Sequence, residues 1–253
     1  ELTRDFPLRV ARIACAHSLR FEPNLEHRAG SPFAVHLAEG VDTAAADEVR
    51  ELDARGLLTH DLLAVHVVGA DEDGIRRLRA AGAATVWCPT SNAFLFGLTA
   101  RAQLLAPGMD LLLGSDSLLT GSGDLLDELR SARALRLVTD ARLEAAVGAV
   151  AARRLGVPAP SLAVGEPADV IVLTRPLLQA TAADVSVVIA GGRLRVLAPE
   201  LMPALGPWAR AGRVVEANGV ERWQGSHDEG VSGGRPPRSQ RGATFLASHR
   251  SRL

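Results

Sequence analysis

Five short, almost uninterrupted apolar runs set the character of this chain: Val10–Ala16, Ala34–Ala38, Leu62–Val68, Ala84–Cys88 and Asp110–Gly114. Their centres lie roughly 21–29 residues apart, the interval of one strand plus one crossover helix. The runs do not alternate with polar residues, so as strands they must be covered on both faces. The gaps carry helical patterns. Thr43 to Arg55 sets Ala45, Ala46, Val49 and Leu52 against Asp47, Glu48, Arg50 and Glu51, with Gly56 at its end. Asp71 to Ala81 repeats the form and stops at Gly82, and Asp124–Leu137 and Arg142–Leu155 read as two further amphipathic helices. Repeated βα units predict an α/β fold with a parallel sheet, either open or closed into a barrel.

After Gly156 the pattern changes. Pro158 and Pro160 end the helix, Ala168–Thr174 reads as one strand, and Val185–Leu197 as two strands turning at Gly191-Gly192. Arg213–Trp223 reads as a second hairpin with Asn218-Gly219 as its turn. From Gly225 onward Gly, Ser, Pro and Arg dominate, a composition too poor in large apolar residues to offset the entropy of ordering. Three segments are therefore expected: an α/β part over 1–157, a small β module over 158–224, and a disordered, mildly basic tail over 225–253.

Composition narrows the function classes. With 28 basic against 29 acidic residues the net charge is −1, which gives no reason to expect a nucleic-acid or membrane partner. No apolar stretch approaches the roughly 18 residues of a spanning helix. The two cysteines, Cys15 and Cys88, lie far apart without a CxxC pairing, which excludes a disulfide framework and a thiolate zinc site. A cytoplasmic protein acting on a small molecule is the expectation, with homo-oligomerisation left open. The chain opens at Glu1 inside a running strand–helix pattern, so it is expected to be part of a longer protein.

Chemistry-bearing residues gather at the C-terminal ends of several runs. His36 and Glu39 close the second, His66 lies near the end of the third, and Asp116 follows the fifth. In parallel α/β folds this edge is where ligands bind. A lone strand-end histidine is usually a hydrogen-bonded core residue, but three strands each delivering His or Asp to one edge suit metal-assisted hydrolysis. Imidazoles and a carboxylate hold Zn²⁺ or a similar divalent ion with an open position for water. The ion lowers the pKa of that water to about 7, and a carboxylate alongside can ferry its proton. Glu39 is the natural candidate for that shuttle. Strict strand alternation would place His36 and Glu39 on opposite faces, so the two converge only if the chain turns between Leu37 and Glu39.

In order along the chain, His36-Leu-Ala-Glu39, His66, Trp87-Cys-Pro-Thr-Ser-Asn92 and Leu113-Gly-Ser-Asp-Ser117 resemble the second half of an amidohydrolase-superfamily enzyme. The nearest branch is that of cytosine-, guanine- and S-adenosylhomocysteine-type deaminases and triazine chlorohydrolases. Gly165-Glu-Pro-Ala-Asp-Val-Ile-Val-Leu173 is similar to the segment with which such proteins re-enter a small β domain. The resemblance implies the C-terminal part of a (β/α)8, TIM-like barrel, about five of its eight strands (four to eight), followed by a small composite β-sandwich module. It further implies His36 as a metal ligand, Glu39 as proton shuttle, His66 as the histidine that orients substrate and a possible third ligand, and Asp116 as ligand to both metal and nucleophilic water. Asn92 and Ser91 would line the substrate pocket or form a polar turn, and His17 would face the same pocket. The implied cofactor is one divalent metal ion, zinc foremost, with iron or manganese as alternatives. The implied substrate is a planar nitrogen heterocycle, with Trp87, Phe94 and Phe96 near enough to stack on it. His27, His60, His227 and His249 read as ordinary surface residues.

The chain departs from the family pattern in one respect: it contains no His-x-His pair, which family members carry on the first barrel strand as two metal ligands. A complete barrel also takes about 250 residues of its own. The expectation is therefore a fragment of a metal-dependent hydrolase of non-peptide C–N bonds, a deaminase or cyclic amidine/amide hydrolase, with the catalytic competence in the longer parent. The alternative is a non-catalytic relative that has lost metal binding. A doubly wound nucleotide-binding sheet fits the βα rhythm only, since no GxGxxG or GxxxxGK[ST] loop follows any run.

Overall fold

The computed structural model describes residues 13–19, 21–22, 24–217 and 220–225. The start of the first run (Val10–Arg12), the Asn218-Gly219 turn and the tail beyond Gly225, with His227 and His249, lie outside the described residues. Gly225, expected to open the tail, instead ends a strand.

Five parallel strands form the first sheet: β1 (Ala14–Ala16), β2 (Phe33–Leu37), β3 (Leu62–His66), β4 (Ala84–Trp87) and β5 (Asp110–Leu113), in the spatial order β1-β2-β3-β4-β5. Helix α1 (Thr43–Ala54) crosses from β2 to β3, α2 (Glu72–Ala81) from β3 to β4, and α3 (Pro89–Phe96) with α4 (Ala102–Leu105) from β4 to β5. Each crossover steps one strand in the same direction. A doubly wound sheet reverses direction at a switch point; among the described strands there is no such reversal, which counts against the nucleotide-fold reading.

The continuous apolar character of the strands follows from this winding. Phe33, Val35, Leu37, Leu62 and Ala64 pack against Val49 and Leu52 of α1 and Ile75 and Leu78 of α2. On the other face Ala34, Leu63, Ala84 and Leu112 form a second layer with Val65 and Val86. That layer is met by Val150, Ala151 and Leu155 of α7 (Ala149–Leu155). Helices α5 (Leu125–Leu135) and α6 (Asp140–Val147) close a third cluster over Trp87, Leu111 and Leu113. The helix starts are set by acidic caps: Asp42 accepts from the Ala45 N–H, Asp71 from that of Gly74, and Asp124 with Asp127 forms a capping box on α5.

Two expectations need correction here. The single helix read over Arg142–Leu155 is two, broken at Gly148, and Ser91 and Asn92, read as pocket wall or polar turn, lie in the helix α3. Pro89 occupies the first turn of α3, where its missing N–H costs nothing.

The second sheet is antiparallel, in the order β6-β7-β8-β10-β9, from β6 (Val170–Leu173), β7 (Val185–Ala190), β8 (Arg193–Leu197), β9 (Gly212–Ala217) and β10 (Val220–Gly225). The β7–β8 turn places Gly191 at φ 59° and Gly192 at φ 73°, the paired positive angles of a tight hairpin turn that only glycine adopts cheaply. This part is seated on the first: Leu177 and Leu178 enter the α5–α6 cluster, and Arg130 Nη1 donates to the Ala180 carbonyl at 2.6 Å. Among the described residues no helix is long and apolar enough to cross a membrane.

At the edge opposite the chemistry, Arg154 fastens three strand beginnings. Its Nε donates to Asp110 Oδ2 at 2.6 Å, at the start of β5. Its two terminal nitrogens donate to the His60 carbonyl ahead of β3 and the Gly82 carbonyl ahead of β4. With the Arg154 side chain only 6% exposed, cutting it to Met leaves Asp110 with Arg153 alone and two carbonyls without their donor. The expected cost is about 3 kcal/mol, a fall of roughly 6–12 °C in Tm on thermal melting. Burial alone raises the Asp110 carboxyl, but hydrogen bonds from Arg153 and Arg154 hold it below the usual carboxylate range. A depressed carboxylate stabilises the fold above its unfolded pKa of about 4 and loses that contribution as pH falls through the folded value. The gap in Tm between wild type and Arg154→Met should therefore narrow from pH 6 to pH 3 without closing, because the bonds to the two carbonyls do not titrate.

Candidate metal centre

Parallel pairing of β2 and β3 sets Leu37 opposite His66, so His36 and His66 finish neighbouring strands at one edge, and Asp116 follows β5 at the same edge. Local backbone then aims the side chains. Ala38 has φ 49°, His66 φ 67°, Val67 φ 53° and Asp116 φ 55°; among the described residues only Arg136 is a further non-glycine with positive φ. Left-handed backbone is costly for a residue with a Cβ, most of all a β-branched one, and such residues cluster where function over-determines the geometry. The turn at Ala38 resolves the alternation problem. It swings Glu39 onto the side of His36, with Glu39 Oε1 3.6 Å from His66 Nε2. The turn is held by the Ala38 N–H donating to Glu48 Oε2 at 2.7 Å and by the Ala38 carbonyl accepting from the Gly69 N–H at 2.9 Å.

One potential ligand atom from each of His36, His66 and Asp116 lies within 4.8 Å of the others. The tautomers of both imidazoles follow from their partners. His36 Nδ1 lies 3.2 Å from the Ala16 carbonyl and His66 Nδ1 2.8 Å from Asn92 Oδ1. Both partners only accept, so each Nδ1 carries a proton, and in the neutral ring each Nε2 offers its lone pair. His66 Nε2 is fully buried and has no hydrogen-bond partner, an atom that asks for a ligand. The Asp116 carboxylate accepts from the Ser91 hydroxyl and, at 2.9 Å, from Thr120 Oγ1. Burial by itself raises the Asp116 carboxyl, but these hydrogen bonds, the neighbouring His66 and the Ser117 N–H bring it below its ordinary range. The surrounding field is negative: beyond the effect of burial, Asp116, Glu128 and Glu39 all push the Cys88 thiol upward. Two neutral nitrogens, one carboxylate and a negative field fit a divalent cation.

Known proteins similar to this chain are named as deaminases and hydrolases. No family model matches the chain. A 5-methylthioadenosine/S-adenosylhomocysteine deaminase from Pelotomaculum thermopropionicum is 34% identical over 125 residues, covering 46% of this chain and 29% of that protein. One of the same name from Pyrococcus abyssi is 27% identical over 199 residues, covering 66% and 47%. Among solved structures, an adenosine deaminase from Xanthomonas campestris with bound zinc aligns with a TM-score of 0.58 at 24% identity, over 66% of this chain and 45% of that one. Atrazine chlorohydrolase from Arthrobacter aurescens, complexed with zinc, aligns at 0.53 and 20% identity, over 65% and 44%.

The chain is thus similar to enzymes named as deaminases and shares its fold with a chlorohydrolase, and it spans less than half the length of the curated relatives it matches (29% and 47% of the two deaminases).

Of the residues singled out by motif, the fold brings His36, Glu39, His66 and Asp116 to one edge. His17 joins them from the end of β1, its ring stacked on that of His36 at 5.4 Å and 15°. Ser91 and Asn92 are fully buried, with Ser91 Oγ donating to Asp116 and Asn92 Oδ1 accepting from His66, while Asn92 Nδ2 has no hydrogen-bond partner. Trp87 is not available for stacking: it is buried on the helix-covered face and donates from Nε1 to Thr99 Oγ1. His27 is no surface residue, since its side chain is 8% exposed and lies between Phe33 and Asp61. Sequence reading passed over Thr90, Thr120 and Glu128. Glu128 did leave a signal, because it occupies the apolar stripe 125/128/129/132 of α5, where a carboxylate is out of place.

The loop that carries Glu39 depends on a close approach at Gly69, where a Cβ would lie 2.5 Å from the Gly40 carbonyl oxygen and 3.0 Å from Ala45 Cβ. Gly69→Ala must push the 38–40 turn away. The expected result is a loss of about 1–3 kcal/mol in denaturant unfolding, with amide shift changes concentrated at residues 38–45 in NMR spectra.

Proposed function

We propose that this chain is the C-terminal part of a metal-dependent hydrolase that cleaves a non-peptide C–N bond, a deaminase or cyclic amidine hydrolase acting on a planar nitrogen heterocycle. The observation that carries the reading is the His36–His66–Asp116 cluster with Glu39 beside it. Relatives named as deaminases, and zinc in two structural neighbours, support it. The same-direction winding of the sheet supports residues 1–157 as strands four to eight of a (β/α)8 barrel whose remaining strands, and further ligands, lie elsewhere in the longer protein. Residues 158–225 are then the small β module. The chain by itself is inactive on this reading, because a catalytic zinc is held by about three protein ligands in a closed cage that also needs the missing wall.

His36, His66 and Asp116 would hold the ion, with zinc the first choice. When bound, a divalent ion supplies acidification of water toward neutral pH and polarisation of the carbon under attack. The residues supply the rest. Asp116 is held ionised by Ser91 and Thr120, so it accepts a hydrogen bond from the attacking water and orients it. Glu39 takes the proton that water loses as its oxygen bonds to the sp² carbon. The same carboxyl then delivers the proton to the departing nitrogen, so that C–O forms, C–N breaks and ammonia leaves. His66, fixed by Asn92 with Nε2 turned inward, is placed to orient the substrate as well as to ligate. His17, beside His36, is placed to touch the substrate, and Ser91 and Asn92 serve it through the groups they hold.

A second reading, a scaffold without catalysis, draws on the lack of any His-x-His pair. Metal analysis and turnover of the longer protein separate the two. The hydrolase reading expects about one divalent ion per chain and ammonia release from a purine, pyrimidine or triazine panel. Glu39→Gln should keep the ion and lose about 10²–10⁴ in turnover, whereas Asp116→Ala should lose both. Wild-type turnover in Glu39→Gln removes the shuttle role, and a metal-free native protein supports the scaffold.

A further inference from the structure

Three consecutive residues at the start of α3 each hold one carboxylate or imidazole at this edge. Ser91 donates to Asp116 and Asn92 accepts from His66; Thr90, ahead of them, donates from both its hydroxyl and its N–H to Glu128, the latter at 3.2 Å. Glu128 sits on α5 with no solvent exposure, although its neighbours Leu129 and Ala132 are core residues. It also accepts from the Ser122 N–H, in the loop that runs from Asp116 to α5. One carboxylate thus fastens both the segment that grips the ligands and the segment that carries Asp116. It also replaces a missing cap: Cys88, at the N-cap of α3, has no side-chain bond to the helix, and the Thr90 N–H is among the orphan donors of that first turn. Burial pushes the Glu128 carboxyl up, and its donors only partly offset this. A carboxylate kept in an apolar stripe at such a cost serves something other than packing.

Resting on the metal-site reading above, we infer that Glu128 is a positioning residue for Asp116 and His66, acting through Thr90, Ser91 and Asn92. It touches neither ion nor substrate. Its contribution is to hold two loops at one separation, so that the carboxylate and the imidazole meet a single cation. Outer partners of this kind commonly change metal affinity 10–100-fold.

The test is Co²⁺ titration of the longer protein, followed by its visible absorption, at a temperature where circular dichroism shows every variant folded. Thr90→Val removes the hydroxyl at constant shape, Thr90→Ser restores it, and Glu128→Gln turns one accepting oxygen into a donor facing donors. Thr90→Val and Glu128→Gln should each weaken Co²⁺ binding about 10–100-fold, Thr90→Ser should bind as wild type, and Asp116→Ala should not bind. A purely structural role would lower Tm in Thr90→Val and leave its Co²⁺ affinity unchanged. That outcome, with Asp116→Ala silent, overturns this inference and leaves the metal reading standing. Wild type that takes up no Co²⁺ overturns both. Should Glu128→Gln fail to fold, the Thr90 pair decides alone.

Discussion

Parallel pairing is the constraint on which the rest of this molecule depends. Strands that run the same way finish at the same edge, so a residue that ends one strand has as neighbours the residues that end the others. His36, His66 and Asp116 are distant in sequence, yet the register that sets Leu37 opposite His66 makes their meeting a consequence of sheet geometry. Burial of both sheet faces keeps that register from slipping, because a one-residue shift would exchange Val35 and Leu37 for Ala34 and His36 against the helices. Arg154 secures the opposite ends of three of the strands. The apolar layers and the polar edge are therefore two results of one arrangement.

What the edge adds is strain and saturation. Four non-glycine residues there take left-handed backbone, and nearly every polar atom around them is engaged. The exceptions at the site are His66 Nε2 and Asn92 Nδ2, both buried and without a hydrogen-bond partner. A site in which acceptors hold the Nδ1 protons of both histidines while one Nε2 is left bare has lone pairs prepared for a cation. The same saturation argues against a relict scaffold, since buried polar groups without a ligand cost free energy that drifting sequence would shed.

Much of the fold was legible. The five strands could be read because continuous Val, Leu, Ile and Ala runs are what two-sided burial demands, and α1 and α2 because aspartate caps and terminal glycines punctuate them. The break at Gly148 was not, since apolar spacing continues across it and only the packing of α7 beneath the inner layer separates it from α6. Helix α3 was obscured by Pro, Thr, Ser and Asn, which mark turns as readily as helix starts. In the site, His36, Glu39, His66 and Asp116 were legible by order and spacing, whereas the burial of Trp87 and His27 and the grip of Ser91 and Asn92 were not, because exposure and partner choice are properties of the assembled chain.

Sequence alone determined the residue types and their order: which strand ends carry imidazole or carboxylate, and that the sheet is parallel and covered. It could not determine whether Glu39 shares a face with His36. Alternation along a strand forbids that, and only a left-handed residue at Ala38, held by Glu48 and by the glycine contact at 69, permits it. Nor could it show that Thr90, Ser91 and Asn92 each take a different charged or imidazole partner from β3, the β5 loop and α5. Those partners come from segments far apart in the chain, and only tertiary packing brings them within hydrogen-bond reach.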